Sequence, residues 1–258
     1  FDSHDKTKYF ELSFSDSGKN LGFVVDADST KAYVRPNKLY TWNASNGMAK
    51  LVVDSETAPK GYRVSSDGNV SFSKDDSKLY FGLALPAIVQ DTLLLDDEIV
   101  SVEVWTYDEP RLYTVQELQV KNDAKKSYAT AIHLVNNKLV QLGSEEYPST
   151  EVGNEGNAEF ALLSNPEPYL LESQWTGNSA RDYAIVNTNT GNTTKILTKI
   201  SGRVRLSPNA KYAYGYNTVD STWFTVNLAS KKLTNLTKGK VFYNELNDSP
   251  VNPRSYGF

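Results

Sequence analysis

The sequence contains no cysteine. That excludes disulfides, thiolate zinc sites and cysteine nucleophiles together, and leaves the cellular compartment open. Histidine is nearly as scarce, with only His4 and His133, so a general base or imidazole metal ligand has two candidate positions. His4 lies in a terminus expected to fray, and His133 falls in an alternating strand pattern, so neither is expected to be catalytic. No Lys/Arg stretch exceeds a pair, and 27 basic residues against 31 acidic ones give a formal charge of −4. Nucleic acid is therefore not an expected partner. Long apolar runs are also missing: 81–85 and 92–95 fall far short of the ~20 residues of a membrane helix. The chain opens on Phe1 without a leader pattern, and Met48 is its single methionine. The expectation is a processed product or an excised segment.

Catalytic signatures are equally sparse. The strained Gly-x-Ser-x-Gly turn of an α/β-hydrolase nucleophile is absent, since the one pair of glycines so spaced, Gly18 and Gly22, has Asn20 at its centre. Gly239-Lys240 lacks the rest of a phosphate-binding loop. The carboxylate groups Asp26-Ala27-Asp28 and Asp96-Asp97-Glu98 have no calcium-loop pattern around them and read as solvated loop charge. No catalytic residue, cofactor or metal ion is expected in this chain.

What is present is a soluble globular composition, 39% hydrophobic and 22% charged, with enough length to bury roughly 70–75% of the unfolded surface. Within it one phrase recurs. Phe14-Ser15-Asp16-Ser17-Gly18-Lys19-Asn20-Leu21 matches Phe72-Ser73-Lys74-Asp75-Asp76-Ser77-Lys78-Leu79, and Leu206-Ser207-Pro208-Asn209-Ala210-Lys211-Tyr212-Ala213 follows the same plan. A weaker copy begins at Leu163-Ser164-Asn165-Pro166. Each reads as a strand end, a tight Ser/Asp/Asn/Gly turn and a second strand rich in aromatic and aliphatic residues. A second hairpin follows each, so every unit has four strands.

The fold class expected is all-β: propeller blades of four antiparallel strands, about four in this chain, forming part of a larger ring. The blades fall at approximately 9–54, 69–143 with an insertion at 85–126, 157–199 and 202–237, and a tail at 238–258 leads into a further blade. A β-sandwich also uses short strands at regular spacing, but it does not predict a recurring hairpin phrase. No helix longer than about two turns is expected, and Glu117 to Ala124 is the one candidate.

The phrase at Phe72 to Gly82, the segment Val102-Glu103-Val104-Trp105-Thr106-Tyr107-Asp108-Glu109-Pro110-Arg111-Leu112 and the tail from Tyr243 to Pro250 carry a resemblance. From about Phe10 to Phe258 the chain resembles the N-terminal propeller of bacterial prolyl oligopeptidase family serine peptidases, dipeptidyl peptidase-like enzymes among them. The hairpin phrase alone is shared with TolB-like propellers; the Trp-to-Pro segment is more selective. The resemblance implies a non-catalytic propeller that covers a downstream α/β-hydrolase active site, filters peptide substrates by size and works in the periplasm or outside the cell. Trp105, Tyr107, Asp108 and Arg111 become candidate substrate-facing residues of the insertion. Dipeptidyl peptidase specificity is not carried over, because Glu145-Glu146 sits in a different local motif. The alternative function is a freestanding propeller that serves as a protein- or ligand-binding scaffold. A lyase acting on acidic sugars would need more histidine than two residues supply. Open blade edges make self-association an expected property.

Overall fold

The computed structural model describes residues 7–30, 32–87, 89, 93–95, 98, 102, 104 and 106–238. The chain divides into two compact units, residues 1–149 with 155–157, and residues 150–154 with 158–258. Each holds two antiparallel sheets whose strands follow one another in chain order.

In the first unit, sheet one runs β1 (Lys8–Phe14), β2 (Asn20–Asp26), β3 (Lys38–Asn43) and β4 (Ala49–Val53). Sheet two has its first strand broken into β5 (Arg63–Val64) and β6 (Ser71–Phe72), both paired with β7 (Lys78–Ala84), followed by β8 (Tyr128–His133) and β9 (Lys138–Gln141). The second strand of each sheet has a neighbour on either side, and it is apolar almost throughout. All seven residues of β7 are buried, which is why Lys78-Leu79-Tyr80-Phe81-Gly82-Leu83-Ala84 reads as a continuous run rather than an alternation. Val24, Leu39 and Val53 of sheet one form one core with Val64, Val70, Leu79, Phe81, Leu83 and Ile132 of sheet two and its broken first strand, all within the first unit. Gly82 is required where the chain between β5 and β6 crosses β7, since a Cβ on it would stand 2.7 Å from the Gly68 Cα.

In the second unit, sheet three runs β10 (Ser149–Val152), β11 (Phe160–Asn165), β12 (Ala180–Asn187) and β13 (Thr193–Ser201). Sheet four runs β14 (Val204–Leu206), β15 (Tyr212–Asn217), β16 (Thr222–Asn227) and β17 (Leu233–Asn235). Leu162, Tyr183, Ile185 and Leu197 pack with Val204, Leu206, Ala213, Phe224 and Val226. The fold is all-β, built of four-stranded antiparallel β-propeller blades.

The recurring phrase forms one and the same turn three times. Ser15, Ser73 and Ser207 each donate their N–H to the carbonyl five residues on, at 2.9, 2.9 and 2.8 Å, and accept at their own carbonyl the N–H three residues on, at 2.9, 2.9 and 2.7 Å. Each hydroxyl also accepts the N–H five residues on, from Asn20 at 3.1 Å, Lys78 at 2.9 Å and Tyr212 at 3.1 Å. The fourth residue of the turn is left-handed: Gly18 at φ 69°, Asp76 at 57° and Ala210 at 49°. This is a tight turn closed by a left-handed residue that matches the twist of the flanking strands. For Asp76 and Ala210 the strain is about 1–2 kcal/mol. That is comparable with the burial of one core side chain, roughly 1.5–3 kcal/mol, so the packed sheets outweigh it.

Three expectations need correction. The weak fourth copy is not a turn of this kind: Ser164 lies inside β11, opposite Tyr183, and the residues after it form a 3-10 turn (Glu167–Tyr169) and α2 (Leu170–Thr176). The corresponding connection of sheet three follows Gly153 and is built differently, with Asn154, Glu155 and Gly156 all left-handed at φ 51°, 51° and 87°. Serine cannot stand at 153, because a Cβ there would lie 2.8 Å from the Ala210 Cβ and 3.0 Å from Leu206 Cδ1. Sheet three accordingly takes its first strand from 149–152, upstream of the expected start at 157. The helix α1 (Tyr113–Asp123) has 11 residues, three turns rather than two; it has no apolar stripe, so its periodicity is silent in the sequence. The tail 239–258 lies outside the described residues.

Two substitutions measure this account by denaturant unfolding. Ser73→Ala, at a fully buried position, removes the acceptor of the Lys78 N–H and is expected to cost about 1–3 kcal/mol. Gly153→Ser, which puts a Cβ 2.8 Å from the Ala210 Cβ, is expected to destabilise by about 1–3 kcal/mol through overpacking; a neutral or stabilising result would contradict the assigned contacts.

Candidate functional site

In sheets one, two and three a long connection leaves between the second and third strands, at the end opposite the strand-one-to-strand-two turn. In sheet two this connection is 85–127. It carries α1, which buries none of its side chains, and a set of exposed apolar residues: Leu93, Leu95, Val102, Val104, Leu112 and Leu118. Of the residues expected to face substrate, Tyr107 is 95% exposed and Asp108 is exposed, whereas Arg111 pairs with Asp123 of α1 at 2.9 Å. Gln116 of α1 donates to the Arg111 carbonyl at 2.8 Å and to Glu109 at 3.3 Å. The insertion thus fixes its own Glu109-to-Arg111 corner while presenting Tyr107 and Asp108 to solvent. Trp105 lies outside the described residues.

The corresponding connection in sheet three, 166–179, is anchored by one carboxylate. Asp182 accepts from the Tyr169 hydroxyl at 2.6 Å and from the Lys199 N–H at 2.9 Å, and it pairs with Lys195. Lys199 also bridges to Glu172 of α2 at 2.8 Å and sits over the Tyr169 ring, 5.7 Å from its centroid. Burial pushes the Asp182 carboxyl up, but the bonds from Lys195, Tyr169 and the Lys199 N–H outweigh it and hold the carboxyl below the usual range. Trp175, on the helix held this way, is 85% exposed.

The shorter connection of sheet one, 27–37, holds a third charged cluster. Arg35 reaches Asp26 at 2.6 Å and Asp28 at 3.0 Å. Asp26 is buried, so this pair is an internal brace rather than the solvated loop charge expected. Asp28 accepts from the Thr30 hydroxyl and N–H and from the Ala32 N–H. Those bonds, with Arg35, bring its carboxyl down to about 2. The sequence signal that was missed is Arg35 itself, seven residues beyond a carboxylate pair already singled out.

Sheet one bears two concavities. The first, about 390 Å³, lies on the face turned away from sheet two and is lined by Tyr9, Phe23, Tyr40, Trp42, Gly47 and Met48. Phe23 and Tyr40 stack at 5.9 Å with 11° between their planes. The second, about 380 Å³, is polar and opens at the serine-turn end of sheets one and two; Asn20, Asn43, Asn46, Lys50, Asp76 and Asn137 contribute to it. Its floor is a chain of bonds in which Asn43 donates to Asn20 at 2.6 Å, Asn20 donates to Asp76 at 3.1 Å, and Ser17 donates to the same Asp76 oxygen. Asp76 accepts its left-handed backbone at the point where its carboxylate ties the two serine turns together.

His133 is half-buried on β8, opposite Lys78, and Glu145 and Glu146 are exposed. Among the described residues no cluster of three or more His, Asp or Glu side chains is arranged to hold a metal ion. No helix among them is long and apolar enough to cross a membrane.

No protein-family model matches the sequence, and no curated protein matches it. Solved structures do. An oligogalacturonate lyase in complex with manganese is 11% identical, with a TM-score of 0.43 over 88% of this chain and 52% of that one. The β-propeller domain of the Trilobed protease from Pyrococcus furiosus is 10% identical, with a TM-score of 0.43 over 88% and 56%. A prolyl endopeptidase is 11% identical, with a TM-score of 0.41 over 90% and 30%. The likeness is one of fold, and this chain spans between about a third and just over half of the length of these proteins.

Two measurements check the charged clusters. The folded-state carboxyl of Asp28 lies below the ordinary 3.8, so its contribution to stability is complete above about pH 4 and is lost as pH falls through about 2. Thermal unfolding is expected to show an acid-side loss that is smaller in Asp28→Asn. In Asp182→Asn, hydrogen exchange across 167–176 is expected to quicken, corresponding to about 1–3 kcal/mol of local opening, while β7 and β12 stay protected.

Proposed function

We propose that this chain is the propeller portion of a serine peptidase of the prolyl oligopeptidase family, gating peptide access to a downstream α/β-hydrolase domain that supplies the nucleophile, acid and base. The observation that carries this reading is the insertion of sheet two. The segment bearing the family resemblance, Val102 to Leu112, exposes Val102, Val104 and Tyr107 and leads into a helix that buries none of its side chains and exposes Leu118. Such a surface suits contact with something outside its own sheet. Tyr107, Asp108 and, at the corner held by α1, Arg111 are the residues read as facing peptide, together with Trp105. The compartment that fits this role is the periplasm or the cell exterior, and open blade edges would let copies associate.

A second reading, a freestanding propeller that acts as a binding scaffold, is favoured by the aromatic groove of sheet one, whose size and lining suit a ligand. Peptide hydrolysis separates the two. The 258-residue chain alone is expected to turn over no peptide or ester substrate. In a longer protein carrying the hydrolase domain, removal of 86–126 is expected to admit larger peptides, read as a changed ratio of kcat/KM between long and short substrates. An unchanged ratio would contradict gating by the insertion and leave the scaffold reading standing, and turnover by the isolated chain would contradict both.

A further inference from the structure

The turn joining β3 to β4 contains Asn46-Gly47, the only Asn-Gly pair in the sequence. Both residues are exposed. The turn is closed by the Asn46 N–H on the Asn43 carbonyl at 3.0 Å and by the Met48 N–H on the Asn46 carbonyl at 2.8 Å. The second of these bonds spans Gly47 alone, at φ 68°, a three-residue turn of the strained hand. Among the described residues, neither the Asn46 carboxamide nor the Gly47 N–H has a hydrogen-bond partner. Electrophile and nucleophile are therefore adjacent, unbonded and in water, and Gly47 has no Cβ to crowd the approach.

Asn43, three residues earlier, is the contrasting case. Its carboxamide donates to Asn20 at 2.6 Å and accepts the Ser45 N–H at 2.9 Å. The backbone nitrogen that would attack it, that of Ala44, donates to the Lys19 carbonyl at 2.9 Å. Both partners in the reaction are held.

We propose that Asn46 is a site of spontaneous deamidation through a cyclic imide with Gly47. Hydroxide removes the Gly47 amide proton, the nitrogen bonds to the Asn46 Cγ, and the Cγ–Nδ2 bond breaks with Nδ2 leaving as ammonia after taking a proton from water. One water then opens the imide at either carbonyl, leaving aspartate or isoaspartate. No electron transfer is involved. Gly47 and Met48 line the aromatic groove, and Asn46 and Met48 line the polar cleft, so the reaction sets a carboxylate on the rim shared by both. The isoaspartate product also lengthens the backbone beside the Trp42 and Ala49 pairing.

The test incubates the full chain at neutral and at alkaline pH, then reads the tryptic peptide 39–50, which holds both asparagines, by tandem mass spectrometry. A gain of one mass unit at 46 is expected to grow with time, faster at alkaline pH, with 43 unchanged until the chain is unfolded in urea. Gly47→Ala is expected to lose the conversion over the same period, and Asn46→Ser supplies the unmodified reference. Conversion at 43 keeping pace with 46 in the folded chain, a rate indifferent to pH, or no conversion at 46 would each overturn the proposal.

Discussion

The serine hydroxyl that accepts the N–H five residues ahead is the contact on which the rest of this structure depends. It lets the backbone reverse within four residues and leaves the second strand aligned for pairing on both sides. Because a left-handed residue must close the turn, the phrase carries Gly18, Asp76 or Ala210 at its fourth position. The deeply buried strands Leu21 to Val25 and Leu79 to Leu83 start immediately after it. Their two-sided burial outweighs the turn strain.

This division of labour leaves the opposite end of each sheet free to vary. The links between second and third strands hold an arginine-braced loop in sheet one, α1 and its exposed apolar neighbours in sheet two, and the Asp182-anchored α2 in sheet three. Rigid turns at one end and elaborated connections at the other are the arrangement expected of a scaffold whose variable loops meet other molecules. The proposed gating role rests on the largest of these connections.

Much of the fold was legible because strand and turn chemistry are local. The three serine turns, the all-β class and the place of the large insertion follow from short runs of residues. The first hairpin of sheet three was not legible: Ala210 and Leu206 occupy the space that a side chain at 153 would need, its connection runs through three left-handed residues, 154–156, and Ser164 offered a false match nearby. α1 was legible only in part, at Glu117 to Ala124, because a helix that buries nothing leaves no periodic apolar signal. Of the site, Tyr107 and Asp108 are exposed, while the Arg111 to Asp123 pair and the Arg35 brace depend on side-chain geometry that spacing does not encode.

Residue-resolved hydrogen exchange at the amides of Asn20, Lys78 and Tyr212 tests the serine-turn account most directly. Each donates to a serine hydroxyl, so all three should exchange more slowly than the unbonded amide of Gly47, with Lys78, the most deeply buried, slowest. Exchange of these amides at the rate of an open loop would contradict it.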